Sequence, residues 1–178
     1  MGALYAWQGV EYLVKSAPLV LQKCPEARFL IVGDGQMKQE LIELAEQIGV
    51  SDKVIFTRMV PYQEVPLYIN ASDVCVTPKK PLSSGYSPLK LYEYMACAKP
   101  VIATRTHGFE ILEEYNAGLL VNPEDHQQLA DAITTLLKNK ELRMELGENG
   151  RKYVVEKQSW ASVARRVAEA CEQAIKRE

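Results

Sequence analysis

The sequence has little of what metal or thiol chemistry requires. Its two histidines, His107 and His126, lie far apart, and its four cysteines, Cys24, Cys75, Cys97 and Cys171, form no ligand-spaced pair. That inventory argues against a metal site and for free, mostly buried thiols in a reducing compartment. A basic surplus is missing too. Twenty-one Lys and Arg against 23 Asp and Glu give a net charge of −2, too little positive charge to hold a nucleic-acid backbone. No apolar run approaches the length that spans a bilayer, so no transmembrane segment is expected, and the amino terminus lacks the shape of a signal peptide. The two tryptophans, Trp7 and Trp160, read as core or interface anchors rather than stacking platforms. Apolar mass is what the chain does have: 47% of its 178 residues are hydrophobic, ample for one buried core.

The apolar residues come in a repeating order. After Gly9, Val10, Leu13, Val14, Leu19 and Leu21 mark a helix, which Pro18 should kink or divide and Pro25 should end. Residues 28–32 form a nearly continuous apolar run, the sign of a strand buried on both faces, and Gly33-Asp34-Gly35 closes it. Leu41, Leu44, Ala45 and Ile48 then mark a helix stopped by Gly49. The cycle repeats with a strand at 54–56, a helix at 63–70 and a strand at 73–77, then a loop rich in Pro, Lys and Ser up to Ser87. A central helix follows, then a strand at 100–104, a helical turn at 109–115 and a strand at 118–121. Three helices close the chain, the first carrying Leu129, Ala130, Ile133, Leu136 and Leu137 on one face, the others spanning about 140–156 and 160–177. Strands alternating with helices of this length predict an α/β fold, a doubly wound, Rossmann-like parallel sheet in a single domain over 1–178, with 140–178 as closing helices.

Ligands of such sheets bind at the carboxyl ends of the strands. The rim so defined holds Gly33, Asp34 and Gly35; Arg58 and Met59; Lys79 to Ser87; and Arg105 to Phe109. The central helix starts from this rim. Ser87 suits its N-cap and Pro88 its first position, leaving the N–H groups of Leu89, Lys90 and Leu91 without helical partners. Those amides, the helix dipole and the Lys90 ammonium make an anion site. Glu93 sits one turn further in, with Leu89, Tyr92 and Ala96 at core-facing spacing, and suits a hydroxyl-bearing group such as a ribose. The bland alternative is a Lys90–Glu93 pair on a wet helix surface. Other phosphate and cofactor motifs fail. GDGQMK lacks the third glycine of a dinucleotide fingerprint, the P-loop pattern is absent, and Asp73 begins its strand where a phosphoacceptor would end one. His107, alone in a loop, reads as a surface residue rather than a general base.

The order VGDG, FTRMV-P, YINASDVCVTP, SPLKLYEYMACAKPVIAT, GFEILEEYNAGLLVNPED and a last helix after SW resembles the C-terminal domain of GT-B glycosyltransferases, specifically the family-4 retaining type, the glycosyl transferases group 1. The likeness runs from about Gln8 to the last helix. It implies one half of a two-domain enzyme that moves a sugar, with retention, from a UDP- or GDP-sugar, without metal or other cofactor. The acceptor-binding N-terminal domain would be the missing partner. It also implies a cytoplasmic protein, membrane-peripheral in full-length form where the acceptor is lipid-linked, and polysaccharide or glycolipid synthesis. The chain alone should then bind nucleotide and transfer nothing. The rival readings are a non-catalytic nucleotide-binding or interaction module and half of a sugar-nucleotide epimerase, for which the rim offers Glu110, Asp34 and His107.

Residue by residue, the resemblance gives Glu93 to the donor ribose and the amides of Leu89, Lys90 and Leu91 to the diphosphate. Gly33 and Gly35 would flank the nucleotide, and Arg58 and Met59 would line the base. Lys90 would be the catalytic cation, and Gly85, Tyr86 and Ser87 would border the donor sugar. The chain departs from the family at two of its charges. The first glutamate of the family's E-x7-E motif falls at Gly85, and its lysine before the first helix falls at Gln8. The family's first strand would end where Met1 to Leu4 stand, which suggests a truncated piece.

Overall fold

The computed structural model describes residues 1–87 and 89–175. Five short strands, β1 (Phe29–Ile31), β2 (Val54–Phe56), β3 (Cys75–Thr77), β4 (Val101–Thr104) and β5 (Gly118–Val121), alternate with helices. The helices are α1 (Val10–Lys23), α2 (Lys38–Gln47), α3 (Val65–Asn70), α4 (Leu89–Ala96), α5 (Ile111–Glu114), α6 (His126–Lys138), α7 (Lys140–Tyr153) and α8 (Trp160–Ile175). All the strand pairings are parallel. The expected single sheet is in two pieces, β1-β2 and β3-β4-β5. The edges of β1 and β3 line the same cavity and do not pair with one another.

Helices cover both faces, as a doubly wound sheet requires. One core joins Val14, Ala17 and Val20 of α1, Leu41 and Ala45 of α2, and Leu129, Ile133 and Leu136 of α6 to β1 and β2. The other joins Leu91, Tyr94 and Met95 of α4 to Val101 and Ala103 of β4, with Phe109, Leu112 and Tyr153. Side-chain caps fix the later helices: Asp125 accepts from the Gln128 amide, and Asn139 from the Leu142 amide.

Four expectations need correction. Pro18 does not divide α1, which runs unbroken from Val10 to Lys23. A proline inside a helix costs about 3 kcal/mol, but Val14, Ala17 and Val20, on both sides of it, are fully buried in one core and hold the two halves in line. The core-facing stripe of α4 is Leu91, Tyr94 and Met95, so Leu89 is exposed, while Tyr92 and Ala96 pack only partly against the core. Trp160 is 86% exposed and anchors nothing in this domain; α8 buries none of its described residues. Of the four free cysteines only Cys75 is buried; Cys171 is exposed.

Candidate functional site

The rim forms where the strand ends meet residues 1–8. Gly2 donates its N–H to the Val32 carbonyl, and Leu4 its N–H to the Asp34 carbonyl, each at 2.8 Å. This close approach explains Gly33 and Gly35. A Cβ on Gly33 would lie 1.9 Å from the Gly2 oxygen, and one on Gly35 2.6 Å from the Leu4 backbone, so any side chain would drive residues 1–4 away. The next loop is tied to the same turn. Gly33 N–H donates to Thr57 Oγ1, and Lys38 Nζ bridges the Asp34 carboxylate and the Thr57 carbonyl. The structure therefore brings Gly33 and Gly35 beside Arg58 and Met59, whose side chains are exposed.

On its other side Gly2 meets Lys90: a Cβ there would lie 2.6 Å from Lys90 Nζ. Lys90, Leu91 and Leu89 open α4, so their amides lack helical acceptors. Pro88, and with it the helix start that Ser87 and Pro88 are expected to make, lies outside the described residues. Lys90 does not pair with Glu93 on a wet surface. It donates to Gln8 Oε1 at 3.4 Å, and among the described residues no carboxylate lies within ion-pair distance of it. Gln8 is buried. Burial holds the Lys90 ammonium below its ordinary range, with Glu93 opposing, and pushes the Glu93 carboxyl up, with Lys90 and the Met1 ammonium opposing.

A second cation stands beside this one. Lys79 follows β3, is buried, and has its Nζ 4.1 Å from the centre of the Tyr86 ring, 5.1 Å from Trp7 and 5.8 Å from Phe109. The three rings are stacked in the order Trp7, Tyr86, Phe109. Trp7 stacks on the side chains of Tyr5 and Tyr86. Such cages stabilise a cation, yet burial and the neighbouring Lys90 push the Lys79 ammonium down to about 8. Among the described residues Lys79 has no carboxylate partner either. Sequence reasoning placed Lys79 on the rim only as part of a loop. Its rings come from three segments, residue 7, residue 109 and Tyr86 of its own loop, and no sequence pattern announces them.

The loop that carries Gly85 and Tyr86 is braced from behind. Tyr86 N–H donates to the His107 carbonyl, and Tyr86 OH to the Lys80 carbonyl at 2.6 Å. Gly85 has φ +68°, and a Cβ there would lie 2.7 Å from His107 Cδ2 and 2.9 Å from its carbonyl oxygen. A glutamate at 85 would collide with this loop, so the family's first motif carboxylate has no room in this arrangement. His107 itself is exposed and bonded to Glu110, as a surface histidine would be, and Asp34 is held by Lys38. Among the described residues no cluster of three or more His, Cys, Asp or Glu could hold a metal. No helix of the described residues is long and apolar enough to cross a membrane.

The sequence model of the family described as "Glycosyl transferases group 1" matches residues 1–153. The chain belongs to this family. Its fold is that of the GT-B C-terminal domain: the C-terminal domain of a glycosyl transferase group 1 family protein from Francisella tularensis superposes with a TM-score of 0.79 at 27% identity, covering 90% of this chain and 84% of that one. Among curated group 1 relatives, an uncharacterised glycosyltransferase of Methanocaldococcus jannaschii is 30% identical over 93% of this chain and 42% of its own length. The GDP-mannose-dependent alpha-(1-6)-phosphatidylinositol monomannoside mannosyltransferase of Mycolicibacterium smegmatis is 28% identical over 91% of this chain and 44% of its own. The chain thus spans less than half the length of these relatives.

Proposed function

We propose that this domain binds a nucleoside-diphosphate sugar and, within a larger GT-B glycosyltransferase, transfers its sugar with retention to an acceptor held by an N-terminal domain. The observation that carries this reading is the pair of half-dry cations, Lys90 at the start of α4 and Lys79 after β3, neither of which has a carboxylate partner among the described residues. Two unpaired cations beside free helix amides suit a diphosphate. Glu93, one turn on, accepts from the ribose hydroxyls. Gly33, Gly35, Arg58 and Met59 border the base, and Gly85, Tyr86 and Ser87 border the sugar. A relative named for its dependence on GDP-mannose supports a donor of this class.

The chemistry asked of the site is charge stabilisation. As the glycosidic C–O bond breaks, negative charge grows on the leaving phosphate oxygen. Lys90 and the amides of Leu89, Lys90 and Leu91 are fixed before reaction and bind that charge more strongly in the transition state than in the ground state. No metal is needed for this role.

The deciding experiment is calorimetric titration of the 178-residue chain with UDP, GDP and ADP. Saturable binding of one of them, weakened at least about tenfold by Glu93→Ala, is expected, and it names the base. No binding at millimolar ligand would overturn the donor-site reading in favour of a module that keeps the fold without the ligand. The purified chain is also expected to transfer no sugar.

The Lys79 ammonium gives the site a pH dependence with a definite sign. Its proton is lost as pH rises through about 8, while the diphosphate keeps its charge. Affinity is therefore expected to be nearly flat from about pH 7, where the terminal phosphate is ionised, up to that pH and to fall above it, by up to about tenfold per pH unit. Lys79→Arg, which stays protonated, should abolish the fall; the same fall in both proteins would place the titration elsewhere.

A further inference from the structure

A nucleoside-diphosphate sugar is a linear molecule: base, ribose, diphosphate, sugar. In the donor-site reading the base falls to the loops after β1 and β2, and the diphosphate to the start of α4, which follows β3. The strand beside β3 is β4. The loop after β4, residues 105–110, is thus next along the rim for whatever the diphosphate carries, together with Tyr86, which bonds to that loop.

His107 stands there. Tyr86 N–H donates to its carbonyl at 3.0 Å, and a Cβ on Gly108 would lie 2.2 Å from the Tyr86 oxygen, so the two segments lie backbone against backbone. The imidazole crosses Gly85. A Cβ there would lie 2.7 Å from His107 Cδ2, so a side chain at 85 would push the ring away. The other edge of the ring is tied down. Nδ1 lies 3.1 Å from Glu110 Oε1, and Glu110 Oε2 accepts from Gly108 N–H at 2.7 Å. The Glu110 carboxyl is held below its ordinary range by its own amide first, then by the Gly108 amide and the His107 ring.

With Nδ1 on the carboxylate and Cδ2 over Gly85, the free corner of the ring is Nε2. Among the described residues it has no hydrogen-bond partner. In the neutral ring the proton sits on Nδ1, facing the carboxylate, and Nε2 is an acceptor. In the charged ring Nε2 donates. A hydroxyl group answers either form, because it both donates and accepts. So exposed a pair adds little stability. What the tie does is fix the direction of the ring before a ligand arrives.

We propose that His107 contacts the donor sugar, pairing its Nε2 with a sugar hydroxyl, and that Glu110 is the residue that positions the ring. This rests on the donor-site reading and adds to it the residue that distinguishes a sugar nucleotide from the bare diphosphate.

The test titrates the 178-residue chain with UDP-glucose, UDP-N-acetylglucosamine and GDP-mannose beside UDP and GDP, and follows the donor that binds best. His107→Ala is expected to weaken that donor by about fivefold, the loss of one hydrogen bond, and to leave its diphosphate within about twofold. Two amides then separate contact from support. His107→Gln places a polar group where Nε2 stands and should bind the donor nearly as the parent does. His107→Asn places one where Nδ1 stands, keeps the tie to Glu110, and should bind like the alanine variant. A histidine that only holds its loop predicts the reverse order. Glu110→Ala, which frees the ring, should lose about two- to threefold in donor affinity, and should cost nothing further when added to His107→Ala. All these variants should melt within about 2 °C of the parent, because both side chains are exposed. Unchanged donor affinity in His107→Ala, with the diphosphate still bound, overturns the proposal and leaves the donor site standing. So does an equal loss for donor and diphosphate. A parent chain that binds neither overturns the donor-site reading and this proposal with it.

Discussion

Lys90→Ala is expected to weaken nucleoside-diphosphate binding by about 10- to 100-fold, the loss of one or two charge-assisted hydrogen bonds. In a protein that also carries the acceptor-binding half it should lower turnover by about 100- to 1000-fold, the cost of removing one preorganised donor from a developing oxyanion. The geometry explains why so much falls on one side chain. The Lys90 ammonium lies against the bare backbone of Gly2, half dry, with only a neutral oxygen of Gln8 at 3.4 Å. Desolvation has already been imposed by folding, so an arriving phosphate meets a cation with little water left to displace. Lys90→Arg is expected to rescue poorly, because the broader guanidinium would meet Gly2 where the ammonium just fits. Stability should change by less than about 1 kcal/mol, since no ion pair is broken. Titration of the variant chains and turnover of the two-domain enzyme check this; unchanged values in both would remove Lys90 from the reaction.

The strand-helix order was legible in the sequence because each element announces itself locally. Residues 28–32 and 100–104 are apolar throughout, and the alternation predicts parallel crossovers that the observed pairings confirm. Phase was harder to read. Leu89 and Leu91 are equally apolar, and only the packing of α4 on β4 buries Leu91 and leaves Leu89 in solvent. Gly33 and Gly35 were legible as a turn, but the reason for them was not, and nothing in the sequence showed that Gly85 is required. Gly33 is needed because Gly2 passes over it, and Gly85 because His107 stands behind it, and both neighbours are distant in sequence. The site divided in the same way. Lys90 and Glu93 share one helix, so their spacing could be read. Lys79 owes its character to rings at 7, 86 and 109, which only the closed fold assembles.

Phe109→Ala is expected to cost about 3–5 kcal/mol of stability, a fall of about 10 °C in melting temperature for a chain of this size. Phe109 is fully buried in the α4–β4 core, and its ring lies 5.7 Å from that of Tyr86 at 19° between planes. Alanine would leave a cavity beneath Tyr86 and remove one wall from the Lys79 cage. That variant alone cannot separate packing from electrostatics, because a shifted Tyr86 also releases the loop that it ties to Lys80 and His107. Phe109→Leu separates them. It keeps most of the volume and should cost less than about 1.5 kcal/mol, yet it supplies no ring face to the ammonium. If the cage positions Lys79 for a phosphate, the leucine variant loses diphosphate affinity severalfold at pH 7 while melting close to the parent. If the rings serve packing alone, affinity follows stability, and the leucine variant binds as the parent does. The two quantities diverge only when the cation is part of the proposed diphosphate site, so thermal melts and titrations of this one variant decide whether Lys79 belongs to it.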